Sequence, residues 1–386
     1  MSYSSAHTQK YFSIYKTILF FLSFTVSSSA SKPSNPKLIT RPFSRIFAFG
    51  DSYTDTGNTR SSTGPTGFQF VSSPPYGVTF FHKPTNRYSD GRLVIDFLAN
   101  YLNLPFLPPY LSEKANKSHG VNFAVAGATA ISFDFFKRNN LSLDVTPQSI
   151  GTQFIWFRKY LESGRGCYGH LKAEDCLSDV LFWVGEIGFN DYAYNFGSDV
   201  SNDLILKLAV QSLYKFLKGI LSKGAKHIVV QGLPPSGCVP LTLVLAPDTD
   251  RDKLGCVRSA NNRTLKHNFS IKVMLHDLRV QYPHSVLLYA DYWNAYHDVM
   301  KNPKAYGFKE PFKACCGAGG GPYNYNIFDG CGSPESTWCE KPSEYVNWDG
   351  VHLTEAMYKV VFDMFVHGNY TYPSFQYLLN RKRQYG

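Results

Sequence analysis

Phe47-Ala48-Phe49-Gly50-Asp51-Ser52-Tyr53-Thr54-Asp55-Thr56-Gly57-Asn58 opens on an apolar run and breaks at a Gly-Asp-Ser turn. The run from Arg45 to Phe49 reads as a strand buried on both faces, because it is apolar without strict alternation. The turn then leaves one hydroxyl, that of Ser52, at the carboxyl edge of a sheet. Far along the chain, Trp348-Asp349-Gly350-Val351-His352 sets an acid three residues before an imidazole. A serine is a weak nucleophile until an adjacent base activates it, and that base must itself be oriented by a third group. Ser52, His352 and Asp349 offer those three groups, so the two segments together predict a hydrolytic site.

Apolar runs with the same character as the first recur at Val121–Val125, Val180–Val184, His227–Gln231 and Ser285–Ala290. Helical patterns separate them, notably Leu93–Leu102, Asp203–Ser222, Arg258–Gln281 and Thr354–Val366. Strands alternating with helices predict βαβ units and a parallel sheet of about five strands. In such sheets ligands bind outside the carboxyl ends of the strands. Ser52, the Gly127 region and Asn190 each follow a predicted strand, so all three should open onto one crevice. An Asn amide there can donate to a developing oxyanion, and small residues such as Ala126-Gly127-Ala128 let the backbone approach a ligand closely. No Gly-x-Ser-x-Gly elbow surrounds any serine.

Composition narrows the class. With 44% hydrophobic and 18% charged residues, the 386-residue chain can build a large core and is not disordered. Lys10 and Lys16 precede an apolar run from Ile18 to Val26, followed by small residues ending at Ala30, the pattern of a secretory signal over 1–30. That run is too short to span a bilayer comfortably, so no stable membrane insertion is expected after cleavage. A proline-containing leader (31–43), one domain (44–375) and a basic, solvated tail (376–386) would complete the chain, most simply as a monomer. Sequons at Asn116, Asn140, Asn262, Asn268 and Asn369 are expected glycosylation sites.

All eight cysteines lie beyond the signal, and an oxidising compartment favours their pairing. Local pairs such as Cys167–Cys176 and Cys238–Cys256 are plausible, and adjacent Cys315 and Cys316 should bridge to Cys331 and Cys339. No metal is expected, since no CxxC pair occurs. The Gly317–Gly321 stretch lacks the Lys-Ser/Thr of a phosphate loop and reads as a flexible loop flanked by disulfides. The net charge of +10 comes from scattered residues, so nucleic acid is not an expected partner.

Four ordered blocks carry a resemblance: FGDSYTDTGN (49–58), GVNFAVAGATA (120–130), GEIGFND (185–191) and WDGVHLTEAMY (348–358). SPPYGVTFF, RYSDGRLVIDFLA and ACCGAGGGPYNYN extend it over about 44–375. The chain resembles the plant GDSL esterase/lipase family of the SGNH hydrolase superfamily. The resemblance implies a three-layer α/β/α, flavodoxin-like fold. It places the nucleophile on Ser52, the acid and base on Asp349 and His352, and the oxyanion hole on the N–H groups of Ser52 and Gly127 with the Asn190 amide. Tyr53 stands where the family signature has Leu, and Ala126 where many relatives carry Gly.

The expected reaction is cofactor-free hydrolysis of small soluble esters through an acyl-serine intermediate. The same intermediate would make an acyltransferase if a sugar acid or another alcohol outcompeted water. A non-catalytic carbohydrate-binding or defence protein is the reading from a different class. The extracellular space is the expected destination, with the vacuole as the alternative suggested by Asn35-Pro36-Lys37-Leu38.

Overall fold

The computed structural model describes residues 41–385, apart from 61–62, 64–67, 142–145 and 165–175. The expected signal and leader therefore lie outside the described residues, save for its last three positions. The strands are β1 (Arg45–Phe49), β2 (Gly120–Asn122), β3 (Val180–Val184), β4 (His227–Gln231), β5 (Val286–Ala290), β6 (Glu310–Ala314), β7 (Cys316–Gly317), β8 (Thr337–Trp338), β9 (Tyr345–Asn347) and β10 (Thr371–Tyr372). The helices used below are α1 (Val94–Tyr101), α2 (Phe133–Arg138), α3 (Ile150–Glu162), α4 (Phe189–Tyr194), α5 (Asn202–Ser222), α6 (Pro240–Leu245), α7 (Arg258–Gln281), α8 (Tyr292–Lys301), α9 (Glu355–His367) and α10 (Phe375–Tyr385).

The central sheet runs β2-β1-β3-β4-β5-β10, with its first five strands parallel. That order is the flavodoxin-like one, whose switch point lies at β1. Side-chain alternation along the strands builds the layers. Phe47 and Phe49 meet Phe157 of α3, and Phe49 also meets Phe216 of α5. Trp183 of β3 instead meets Phe365 of α9. Accordingly α3, α5 and α7 pack together as one layer, and α1, α8, α9 and α10 as the other. Fully buried aromatic and aliphatic residues on both sheet faces form the main core.

All five expected parallel strands are present, with small shifts of boundary. β2 ends at Asn122, where the side chain takes over from the ladder and Oδ1 accepts from Ala124 N at 2.9 Å. The sheet has a sixth strand: β10 pairs antiparallel with β5. Two residues are too short for a periodic signal.

The basic tail, expected to be solvated, is a helix with one face buried and Arg383 on its exposed side. Phe375, Leu378 and Leu379 of α10 are buried, and Lys382 pairs with Asp179 at 2.9 Å. Their i, i+3, i+4, i+7 spacing is that of an amphipathic helix. Asn268 also needs correcting. Unlike exposed Asn116, Asn140, Asn262 and Asn369, it is 3% exposed on the inner face of α7. Leu233 N donates to its Oδ1 (2.7 Å), and its Nδ2 donates to Leu233 O (2.9 Å). A glycan on that nitrogen would break this pairing, so Asn268 is not an acceptor site in the folded protein. No helix among the described residues is long and apolar enough to cross a membrane.

Candidate active site

The turn bearing Ser52 is held largely by its own sequence block and the next. Gly50 takes φ +137° against Gly185, where an added Cβ would approach the Gly185 Cα to 3.2 Å. Buried Gln153 of α3 satisfies both backbone groups of Gly50, accepting from N (3.0 Å) and donating to O (2.7 Å). Asp55 then gathers the N–H groups of Gly57 (2.8 Å), Asn58 (2.7 Å), Thr59 (3.0 Å) and Ala126 (3.0 Å). Burial raises the Asp55 pKa despite these bonds. Asn58 Nδ2 donates to Asn122 O and Ala124 O, both at 2.8 Å. The Asp-x-Gly-Asn portion of the block is therefore scaffolding.

Asp349 and His352, the expected acid and base, sit on a tight loop between β9 and α9. Val351 N (3.2 Å) and His352 N (2.9 Å) donate to Asp349 Oδ1, and Trp348 N donates to His352 O at 2.7 Å. Gly350 adopts φ +98° with Tyr325 packed where a Cβ would stand. The His352 Nδ1 lies 2.9 and 2.8 Å from the two carboxylate oxygens of Asp349, leaving Nε2 for other chemistry. Burial works to raise the Asp349 pKa, but the charge and hydrogen bonds of His352, with the Tyr76 hydroxyl, hold it below its ordinary value. Tyr76 donates to Asp349 Oδ2 at 2.8 Å. The imidazole is caged by Tyr88 (4.7 Å between ring centroids) and Phe68 (5.0 Å).

Two ties to this loop escaped the sequence reading. Tyr53, the departure beside the nucleophile, donates its hydroxyl to Val351 O at 2.6 Å and so joins the serine turn to the histidine loop. Tyr76 lies in the SPPYGVTFF block, which offered similarity but no acid–base pattern. Disulfides brace the loop from the other side. Cys315–Cys339 and Cys316–Cys331 both form, and the N–H groups of Cys315 and Cys316 donate to Asn347 O (3.0 Å) and Trp348 O (2.7 Å). Cys238–Cys256 forms as well. Cys167 of the fourth expected pair lies outside the described residues.

Ser52, Gly127, Asn190 and His352 line one cavity of about 400 Å³, and Asp349 lies behind the imidazole. Among the described residues, neither Ser52 N nor Gly127 N meets an acceptor. Ala126 N is committed to Asp55 and Thr59, whereas the N–H of Gly127 is left free to meet a ligand. Asn190 differs from expectation: its Nδ2 already donates to Asp51 Oδ2 (2.9 Å) and Ala128 O (3.0 Å). Both amide hydrogens are thus held inside the protein, and one must be released before it can serve an oxyanion.

Behind the turn lies a group of buried acids. Burial pushes Asp51 up to about 6, against the neighbouring Glu186 carboxyl and the hydrogen bond from Tyr53 N. Glu186 is pushed well above its ordinary value by burial and then by the Asp51 charge. Both Glu186 oxygens lie buried without a well-formed hydrogen bond, and burial beside the Asp51 charge favours the protonated form. Asp191 accepts from Ala130 N and Ile131 N at 2.8 Å, yet burial lifts it to about 7.

The family model for the GDSL-like lipase/acylhydrolases matches residues 46–365 of this chain. The chain is 54% identical to the GDSL esterase/lipase At3g48460 of Arabidopsis thaliana, covering 96% of each. It is 39% identical to acetylajmalan esterase 1 of Rauvolfia serpentina, covering 84% of this chain and 86% of that one. With the sinapine esterase of Brassica napus it shares 37% identity over 94% and 93% of the two chains. Among solved structures it resembles a catalytic mutant of Axe2, an acetylxylan esterase from Geobacillus stearothermophilus, at 12% identity and a TM-score of 0.40 over 84% of this chain and 93% of that one. The chain belongs to the GDSL-like lipase/acylhydrolase family and is a carboxylic ester hydrolase.

Proposed function

We propose that this protein hydrolyses small soluble esters through a covalent acyl-Ser52 intermediate. The observation that carries the reading is the buried Asp349–His352 pair at 2.8 Å, opening onto the cavity that Ser52 also lines. Asp349 fixes the imidazole with Nδ1 inward, so Nε2 is the atom that takes the Ser52 proton. The freed oxygen attacks the ester carbonyl, and the tetrahedral oxyanion settles against the N–H groups of Ser52 and Gly127. Asn190 joins them by giving up one of its present acceptors. Such donors act where charge develops, and one is typically worth about 10²–10³ in rate. His352 then returns the proton to the departing alcohol and activates the water that frees Ser52.

We further propose that the chain passes through the secretory route as a single-domain glycoprotein. Three disulfides and four exposed sequons among the described residues support that reading. The extracellular space remains the expected destination. The test is to treat the pure protein with a fluorophosphonate and locate the adduct by peptide mass spectrometry. Modification of Ser52 that blocks ester turnover is expected. Turnover that survives full modification, or an adduct only on another serine, would overturn the assignment. Product analysis with added alcohols reads hydrolysis against transfer, and ester products exceeding free acid would replace hydrolysis by transfer.

A further inference from the structure

The cavity walls are mostly apolar and aromatic, with Phe189, Tyr192, Leu241, Leu245 and Ile327 among them. Arg263 of α7 is the single permanently charged side chain lining it among the described residues. Its guanidinium lies 5.3 Å from the Tyr192 ring centroid, which supplies a π face but no acceptor for its N–H donors. The Arg263 Nε is buried without a hydrogen-bond partner, and no carboxylate among the described residues forms an ion pair with it. The acids that act on Tyr192, Asp191 and Asp203, do not pair with it either. Burial lowers the Arg263 pKa, with Tyr192 acting against it, as expected of a half-buried cation short of compensation.

A half-buried guanidinium whose Nε is left unpaired favours a ligand that can pair it. Its planar fork matches a carboxylate in bidentate fashion. A single positive charge balances a monoanion, which favours a carboxylate over a phosphate dianion. We propose that Arg263 is the specificity anchor for a carboxylate on the substrate, so that the protein acts on anionic esters. The uncharged body of the ester would lie along the apolar walls between Arg263 and Ser52. This inference rests on the hydrolase reading above, since it assigns the substrate of that same cavity.

The test uses purified full-length protein and pairs of esters differing in one charge. The p-nitrophenyl monoester of glutaric acid against its methyl-capped diester places the charge on the acyl side. The 3-(4-acetoxyphenyl)propanoate anion against its primary amide places it on the alcohol side. Wild-type kcat/KM should favour the anion by about 10-fold or more in at least one pair, expressed mainly in KM. In Arg263→Met that ratio should fall to near unity, and Arg263→Lys should keep part of it. Because the ratio is taken within each variant, a general loss of activity cancels. No anionic preference in either pair, or a preference that survives Arg263→Met, would overturn the proposal while leaving the hydrolase reading intact. If no ester is turned over, the hydrolase reading fails instead. Calorimetric binding of 3-phenylpropanoate against its amide then still reads the anchor: about 10-fold discrimination abolished in Arg263→Met supports it, and equal binding refutes it.

Discussion

The two halves of the site are fastened by different means. The Ser52 turn is fixed through Asp55 and Asn58 of its own block, backbone partners in the next, and Gln153 of α3, nearly all by side chain to backbone hydrogen bonds. The Asp349–His352 loop is held by residues from distant parts of the chain: Tyr53 and Tyr76, the Phe68–Tyr88 cage, and two disulfides. The first half is a platform tied by side chain to backbone hydrogen bonds, several of them within its own block. The second half is an imported arm, and its position depends on contacts that can be removed one at a time without touching Ser52.

That contrast can be broken most severely at the acid. Asp349→Asn leaves the loop nearly isosteric but can no longer hold His352 in one orientation and tautomer, and kcat/KM on a p-nitrophenyl ester should fall about 10⁴-fold. Fluorophosphonate labelling of Ser52 should slow in parallel, while the circular dichroism spectrum stays unchanged. A loss under tenfold would mean that the arm does not orient the base.

Removing the brace should act on stability before chemistry. Replacing Cys316 and Cys331 together by Ala opens a loop spanning 15 positions and should lower the unfolding free energy by about 3 kcal/mol in a denaturant titration. A matching loss on cutting Cys238–Cys256 is expected from the same loop-closure term, but only the first pair should also depress turnover. Equal effects of the two on kcat would erase the distinction between brace and scaffold. Smaller again, Tyr76→Phe deletes one hydrogen bond to a buried carboxylate, and kcat should drop about 10-fold with KM little changed.

The buried acids behind the platform give the subtlest effect. Asp51 (about 6), Asp191 (about 7) and Glu186 all have folded-state pKa values raised chiefly by burial. The folded state therefore binds more protons than the unfolded chain, and their stabilisation, complete below about pH 4, is lost as pH rises through the folded values. His227 and His267, lowered by burial to about 4, act oppositely and cost stability as pH falls below about 6.5. Above that point the acids alone remain, so the thermal midpoint should decline between pH 6.5 and 8. Glu186→Gln should flatten the decline, and an unchanged slope would show that Glu186 is already ionised.

The same contrast explains what could be read from sequence. The parallel strands were legible because burial on both faces leaves continuous apolar runs, and Ser52, Asp349 and His352 because each sits in a block with local turn chemistry. Gly127 was legible to within one residue, and the commitment of Ala126 N to Asp55 and Thr59 favours it over its neighbour. Tyr53 and Tyr76 act across about 300 and 270 positions, a separation at which no periodicity survives. β10 was too short to show, whereas the apolar spacing of α10 was present and masked by its basic residues. Asn268 satisfies a three-residue motif that carries no information about burial.

The central claim is that platform and arm act as one unit on one proton. Its most direct measurement is a double-mutant cycle on kcat/KM with Ser52→Ala, His352→Ala and the combined variant. Each single change should cost about 10⁶-fold or fall to the background rate, and the double should cost no more than either. A double variant whose loss is the product of the two single losses, or a single variant that keeps substantial turnover, would contradict the account.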